Sequence, residues 1–491
     1  MAVLSVLFLA ILGFISLRVF LDWNRLRKAP GPALAGFTNL WRAYHLYNGT
    51  LRDKLLELHA RHGPIVRYGV RCVSISDPEV INVVYGSRAG FTTADSYKVL
   101  AGHQNGKDIP SLVSTQDEKK HGALRRAVAN AFTPSAALDY ENWIDVTIKE
   151  FLESVARKPA FDMTSMVLWY VMDASARFSF GAPLGCLVAE GDADGSIQLI
   201  RNRFSHWARW SSYPGLERLV HRNPLFTLTK RTPSNMVAAA TAKLKARTGG
   251  AGASSKENGR DGVAPDLMQR LLEASKDFPQ ALDGPGITSL LISTISGAGD
   301  TTASTVVAVL FYLLKNPAAL AKLEAELTAA GVSEIPTFSE VGKLPYLNAV
   351  IRETMRMFSP MSFPLERVVP AGGAMIAGMY FPEGTSVGCL PSAVHLNSIF
   401  GSDVEAFRPE RWLIDDRERV RLMEAAHMGF SRGRRNCLGQ NIAVLSMKKV
   451  VPALIMKFKL CLVDPDALFQ ADHTSAVAFV GPIHVKSELK G

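Results

Sequence analysis

Cysteine is scarce in this chain, and none of it falls in a stabilising pattern. Cys72, Cys186, Cys389, Cys437 and Cys461 make no C-x-x-C pair and no His/Cys zinc spacing. An odd, scattered set excludes a disulfide framework and fits a reducing compartment. No internal repeat is present, so a solenoid is excluded despite the 491-residue length. Nor does any nucleic-acid motif accompany the net charge of +10. That charge therefore points to an acidic membrane surface or an acidic protein partner, and nucleic acid is not expected.

Long apolar runs are also few, but one opens the chain. Ala2 to Leu17 is apolar, is broken by Arg18 and continues through Val19, Phe20 and Leu21, just long enough to span a bilayer. Arg25, Arg27 and Lys28 follow it, and the positive-inside rule then puts the bulk of the chain in the cytosol. No basic residue precedes the run, and the cleavage-like Ala33-Leu34-Ala35 lies well beyond it, which favours an anchor over a signal peptide. The expected organisation is a single-pass transmembrane helix over residues 1–22, a basic and Pro-rich hinge over 23–35 containing Pro30-Gly31-Pro32, and one globular domain over 36–491. With that domain cytosolic, the sequon Asn48-Gly49-Thr50 reads as a turn.

The globular part reads as mainly α with small β-sheets. β-branched residues predict a strand pair over Ile65 to Val70 and Val73 to Ile75. Helical periodicity dominates from Glu118 to Met357, interrupted by the Gly- and Ser-rich loop from Arg247 to Pro265.

The most informative segment is Phe430-Ser-Arg-Gly433-Arg-Arg435-Asn-Cys437-Leu-Gly439, directly before a helical pattern at Ile442, Ala443, Leu445 and Ser446. It reads as a loop delivering a cysteine thiolate to a metal at a helix start. Gly433 permits a left-handed turn, and Gly439 leaves space for a large planar ligand. Free amides and the positive end of the helix dipole favour the thiolate. Arg435 can pair with an anionic group of the ligand, and Phe430 limits water near the sulfur.

A second signal lies in the apolar helix from about Ile287 to Leu314, roughly 40 Å long. Its interior, Gly297-Ala298-Gly299-Asp300-Thr301-Thr302, carries small residues, an acid and two hydroxyls where a membrane span would carry Leu, so these should face an internal cavity. Glu353-Thr-Met-Arg356 places opposite charges three apart on an apolar helix. The same spacing recurs at Glu257/Arg260, Glu405/Arg408 and Glu418/Arg421, so spacing alone decides nothing.

F-x-x-G-x-R-x-C-x-G resembles the haem-ligand loop of the cytochrome P-450 superfamily, the haem-thiolate monooxygenases. Gly297 to Thr302 is similar to the family's distal-helix motif, and Phe407-Arg-Pro409-Glu-Arg411-Trp412 to its P-E-R-F/W segment. His121-Gly-Ala-Leu-Arg125 resembles the W-x-x-x-R haem-propionate helix, with His in place of Trp. Gly31 to Arg42 and Val73 to Pro78 look most like the fungal microsomal branch, near pisatin demethylase.

The resemblance implies the cytochrome P-450 fold and heme b ligated by Cys437. It implies Thr301 and Asp300 as the oxygen-site pair, and His121, Arg125, Arg367 and Arg435 as propionate partners. Glu353, Arg356 and Arg411 are implied as a buried triad supporting the loop. The implied reaction inserts one oxygen atom from O2 into a lipophilic small molecule, in fungal secondary metabolism or in xenobiotic detoxification. A haem-thiolate isomerase or dehydratase and a non-catalytic, membrane-anchored haem binder or sensor are the other readings. The sequence has no flavin motif, so electrons from NADPH would come through a separate flavoprotein, NADPH-cytochrome reductase, at the endoplasmic reticulum membrane. Lys119, Lys120, Arg126, Arg432, Arg434, Lys448 and Lys449 are the expected docking cations. Expected pocket segments are Tyr97 to Leu112, Phe204 to Tyr213, Ser293 to Thr301, Met361 to Leu365 and Thr474 to Phe479, with Phe204, Trp207, Trp210, Phe363 and Phe479 as an aromatic lining.

Overall fold

The computed structural model describes residues 2–87, 89–104, 107–109, 111–223, 235–248 and 264–490. Most of the Gly- and Ser-rich loop expected over residues 247–265 lies outside them. Helices dominate, as the periodicity predicts. The predicted strand pair forms an antiparallel hairpin, Ile65–Gly69 on Cys72–Ile75, with a register shift between Arg67 and Gly69. Ser386–Cys389 then adds in parallel to Cys72–Ile75, and Arg367–Val368 and Thr92–Thr93 complete a five-stranded sheet.

The longest helix, Gly284–Lys315, runs through the main hydrophobic core. Asp283 caps it by accepting from Gly286 N at 2.7 Å. It is long and apolar enough to cross a membrane but is largely buried in protein, as its polar interior predicts. Gly299 brings it against the helix Met163–Phe180, since a Cβ there would lie 2.8 Å from Met172 Sδ.

The N-terminal helix covers Ala2–Arg25 and is exposed along its apolar length, a candidate transmembrane span. It therefore continues past the expected boundary at residue 22, and the segment expected as a hinge is packed down. Buried Arg67 donates to the carbonyls of Asp22, Trp23, Gly36, Gly69 and Val70 at 2.6–3.3 Å. Arg67 N reaches Pro30 O at 2.7 Å, and Arg71 pairs with Asp22 at 2.7 Å.

Glu353, on the helix Pro345–Met357, is wholly buried. Its Oε1 accepts from Arg356 Nη2 at 2.8 Å, Arg411 Nε at 2.8 Å and Arg408 N at 3.0 Å. Its Oε2 accepts from Arg356 Nε and Trp412 Nε1, each at 3.0 Å. The two guanidinium groups spend their remaining donors on the carbonyls of His395, Phe400, Asp403, Val404 and Ala406 and on the Asp403 carboxylate. Buried His395 then bridges this cluster to the cysteine loop. Its Nδ1–H donates to Arg356 O at 3.1 Å, and its Nε2 accepts from Met428 N at 2.9 Å. Burial, His427 and Arg356 keep the imidazole neutral by holding its pKa well below the ordinary value.

The pair Glu418/Arg421 has the same spacing and a similar 2.8 Å contact, yet both side chains are exposed. Burial therefore separates two sequence-identical signals. Glu353→Ala leaves Arg356 buried without a counter-charge and Arg411 with Asp403 alone, and is expected to cost about 3–5 kcal/mol, seen as a lowered thermal midpoint. Glu418→Gln is the control and should leave that midpoint unchanged.

Candidate functional site

The loop from Phe430 to Gly439 is shaped by steric exclusion. Gly433 has φ +71, and a Cβ there would lie 1.6 Å from Tyr85 O, so no other residue fits. Cys437 N donates to Phe430 O at 2.9 Å and closes the loop. Gly439 is the N-cap of the helix Gln440–Lys457. The amides of Gly439 and Gln440 act on the Cys437 sulfur, as does the charge of Arg125, and all three favour the thiolate. The surrounding protein outweighs them and pushes the thiol above its ordinary pKa. The residue is open on one side, toward a cavity of about 430 Å³.

That cavity fits a haem. Cys437 supplies a soft sulfur ligand, with Phe430 and Leu438 as apolar neighbours on the wall. A Cβ on Gly439 or on Gly297 would meet nothing within 4 Å, and both glycines line the cavity. Donors suited to two propionates line it as well: His121, Arg125, Arg367 and Arg435.

Each of the three expected propionate arginines is held by a neighbour that the sequence reading missed. Arg125 donates to Asn436 O at 2.9 Å and to Asn436 Oδ1. Arg435 pairs with Glu118 at 2.8 Å and reaches Thr115 O at 2.6 Å. Arg367 donates to Glu366 O at 2.8 Å and stacks over the Tyr85 ring. Burial and Arg435 pull the His121 pKa down to about 4, so it is neutral at pH 7.

Adjacent positions on a helix point in different directions, and the central helix separates Asp300 from Thr301 accordingly. Thr301 lines the cavity, its Oγ1 donating to Gly297 O at 2.5 Å. Asp300 is buried to one side and meets Arg201 Nε at 3.5 Å, from the helix Ser196–Trp210. Burial raises the Asp300 carboxyl to a pKa of about 6, with Arg201 opposing the shift. Arg201 in turn lies 4.9 Å over the Phe479 ring. Nothing in the local spacing pointed to Arg201, which is a long-range partner.

Other expectations need correction. Of the five expected aromatic lining residues, Phe204 and Trp207 reach the cavity. Phe363 instead packs edge-on behind Trp207 at 5.1 Å, Trp210 meets His221, and Phe479 lies against Arg201. Lys449 is wholly buried on Glu141 and Asp145, and Lys448 is buried on Gly342 O, so neither is available to a docking partner. Arg432 is half-buried on His427 O, whereas Lys119, Lys120, Arg126 and Arg434 remain exposed.

Known proteins resemble this chain over most of its length. The family model described as Cytochrome P450 matches residues 30–483. A cytochrome P450 monooxygenase of Aspergillus terreus is 32% identical over 89% of this chain and 91% of its own length. Cytochrome P450 monooxygenase cicH of Emericella nidulans is 32% identical over 95% of this chain and 94% of its own length. Cytochrome P450 monooxygenase pkfB of the same fungus is 30% identical over 92% and 90%. The resemblance carried by the cysteine loop thus extends over almost the whole length of fungal monooxygenases, and the chain belongs to the cytochrome P450 family of haem-thiolate enzymes.

Proposed function

We propose that this monooxygenase oxidises a lipophilic small molecule in fungal secondary metabolism, from the endoplasmic reticulum membrane, with its domain over residues 36–491 in the cytosol and electrons from NADPH through a separate reductase. The observation that carries this reading is that the Cys437 sulfur and the Thr301 hydroxyl line one and the same apolar cavity. Haem b held at that sulfur supplies the one-electron and O2 chemistry that side chains lack.

The protein's own part is positioning, water exclusion and proton traffic. Cys437 is held as a ligand by its bond to Phe430 O and by the amides of Gly439 and Gln440. His121, Arg125, Arg367 and Arg435 bind the propionates, and Glu353, Arg356 and Arg411 keep the loop in place from below. Phe430 and Leu438 limit water at the sulfur. Asp300 carries the proton inward. Its carboxyl exchanges a proton near neutral pH, and Arg201 beside it is about one-third exposed. Thr301 passes the proton on from its Oγ1 at the cavity wall. The exposed Lys119, Lys120, Arg126 and Arg434 offer a basic face to an acidic reductase.

The first test is the absorption spectrum of the reduced protein under carbon monoxide. A strongly red-shifted Soret band is expected in the wild type and absent in Cys437→Ser, while a folded wild type without haem would defeat the reading. Thr301→Ala should consume NADPH at a comparable rate while product per NADPH falls severalfold, and unchanged coupling would count against the relay. Because Asp300 binds its proton more tightly folded than unfolded, it lowers stability as pH rises from about 4 to about 6. Asp300→Asn should remove that component from the pH dependence of the thermal midpoint, and Arg201→Gln should shift it to higher pH.

A further inference from the structure

The helix Ser196–Trp210 turns one face toward the cavity, carrying Ile200, Arg203, Phe204 and Trp207. Their spacing of three, four and seven is that of a single helical stripe, in which every position but one is apolar. Arg203 is the exception. Among the described residues it makes one hydrogen bond, Nη2 to Leu100 O at 2.7 Å, and no carboxylate lies within ion-pair distance of it. The other three cavity arginines are each engaged beside the cysteine loop or the sheet, by Asn436, Glu366 O and Glu118. No Asp or Glu lines the cavity among the described residues.

A guanidinium has five N–H donors, and enclosing it in an apolar wall is costly unless an anion or several acceptors complete it. The neighbouring Arg222 offers no relief. It is itself a cation, and the two carboxylates beside it, Glu217 at 2.9 Å and Asp108 at 2.9 Å, bond to it and not to Arg203, while it also holds the carbonyls of Lys98 and Val99. Arg203 is half-buried at the cavity wall, with Nη2 fixed on Leu100 O and its other donors unpaired among the described residues.

We infer that Arg203 binds the carboxylate of the substrate, which makes the substrate class a lipophilic organic acid. This rests on the monooxygenase reading above and deepens it. Ile200, Phe204 and Trp207 line the same cavity with apolar surface, so the acid must carry a hydrocarbon or aromatic body to fill the rest of the space. Arg–carboxylate pairing fixes orientation as well as affinity, because the planar fork donates to two oxygens in one geometry. The site of oxidation is then measured out from the acid group.

The test uses haem-loaded, full-length protein in nanodiscs of zwitterionic lipid and reads binding by equilibrium dialysis against empty discs. The probes are two acid and neutral pairs: 4-phenylbutyrate with 4-phenylbutan-1-ol, and decanoate with decan-1-ol. In at least one pair the acid is expected to bind about tenfold or more tightly than the alcohol. Arg203→Gln should remove that preference with the alcohol's affinity unchanged, and Arg203→Lys should keep part of it. Equal affinities within both pairs, no binding of either acid, or a preference that survives in Arg203→Gln overturns the inference. If Arg203→Gln loses haem, Arg203→Lys and the wild-type pairs still decide. The carbon monoxide band of the wild type separates the two readings. Its absence removes the monooxygenase reading, while equal binding with the band intact removes only the acid-binding role.

Discussion

One buried carboxylate fixes the geometry on which the rest of this site depends. Glu353 accepts five hydrogen bonds, four from side chains and one from the backbone of Arg408. The two arginines it neutralises gather five carbonyls from the irregular stretch between His395 and Ala406. Irregular backbone cannot satisfy itself inside a protein, so without those guanidinium donors that stretch would not pack. Through His395 the same cluster reaches Met428, two residues before the cysteine loop begins. A charge outside the cavity wall is thus linked by hydrogen bonds to the segment that leads into the cysteine loop.

The cavity wall divides polar and small residues along a single helix. Gly297, Ala298 and Thr301 face the empty side, while Asp300 turns to Arg201 and Gly299 admits Met172. An acid facing the cavity would meet the substrate. Held one position aside, it keeps a titratable proton close to the site and leaves the wall itself apolar. The arrangement couples the central helix to the helix Ser196–Trp210 by an ion pair across a boundary that is otherwise hydrophobic.

Much of this was legible in the sequence where the signal is local. Gly433 was expected at a tight turn, and the backbone of Tyr85 supplies the reason. The polar interior of the central helix correctly argued against a second membrane span. What the sequence hid is long-range. Asn436 on Arg125, Glu118 on Arg435 and Arg201 on Asp300 join residues far apart in the chain or turned toward each other only by the fold. Lys449 was misjudged for a related reason. Its charge suggested a surface, but Glu141 and Asp145 take it into the core from another helix. Arg203 went unnoticed because a lone arginine on a helix carries no pattern until its neighbours are known to face inward.

Arg67 brings a practical consequence at the other end of the molecule. Among the described residues it binds five carbonyls and no carboxylate, so the junction it makes there rests on backbone acceptors. Two of those carbonyls, of Asp22 and Trp23, belong to the last turns of the N-terminal helix, and Asp22 also engages Arg71. Trimming the chain for solubility after residue 22 would take one carbonyl and one ion pair away from the body, and trimming after residue 23 would take a second carbonyl. A water-soluble form should begin upstream of Asp22, keeping a stub of helix whose last turns are part of the globular fold.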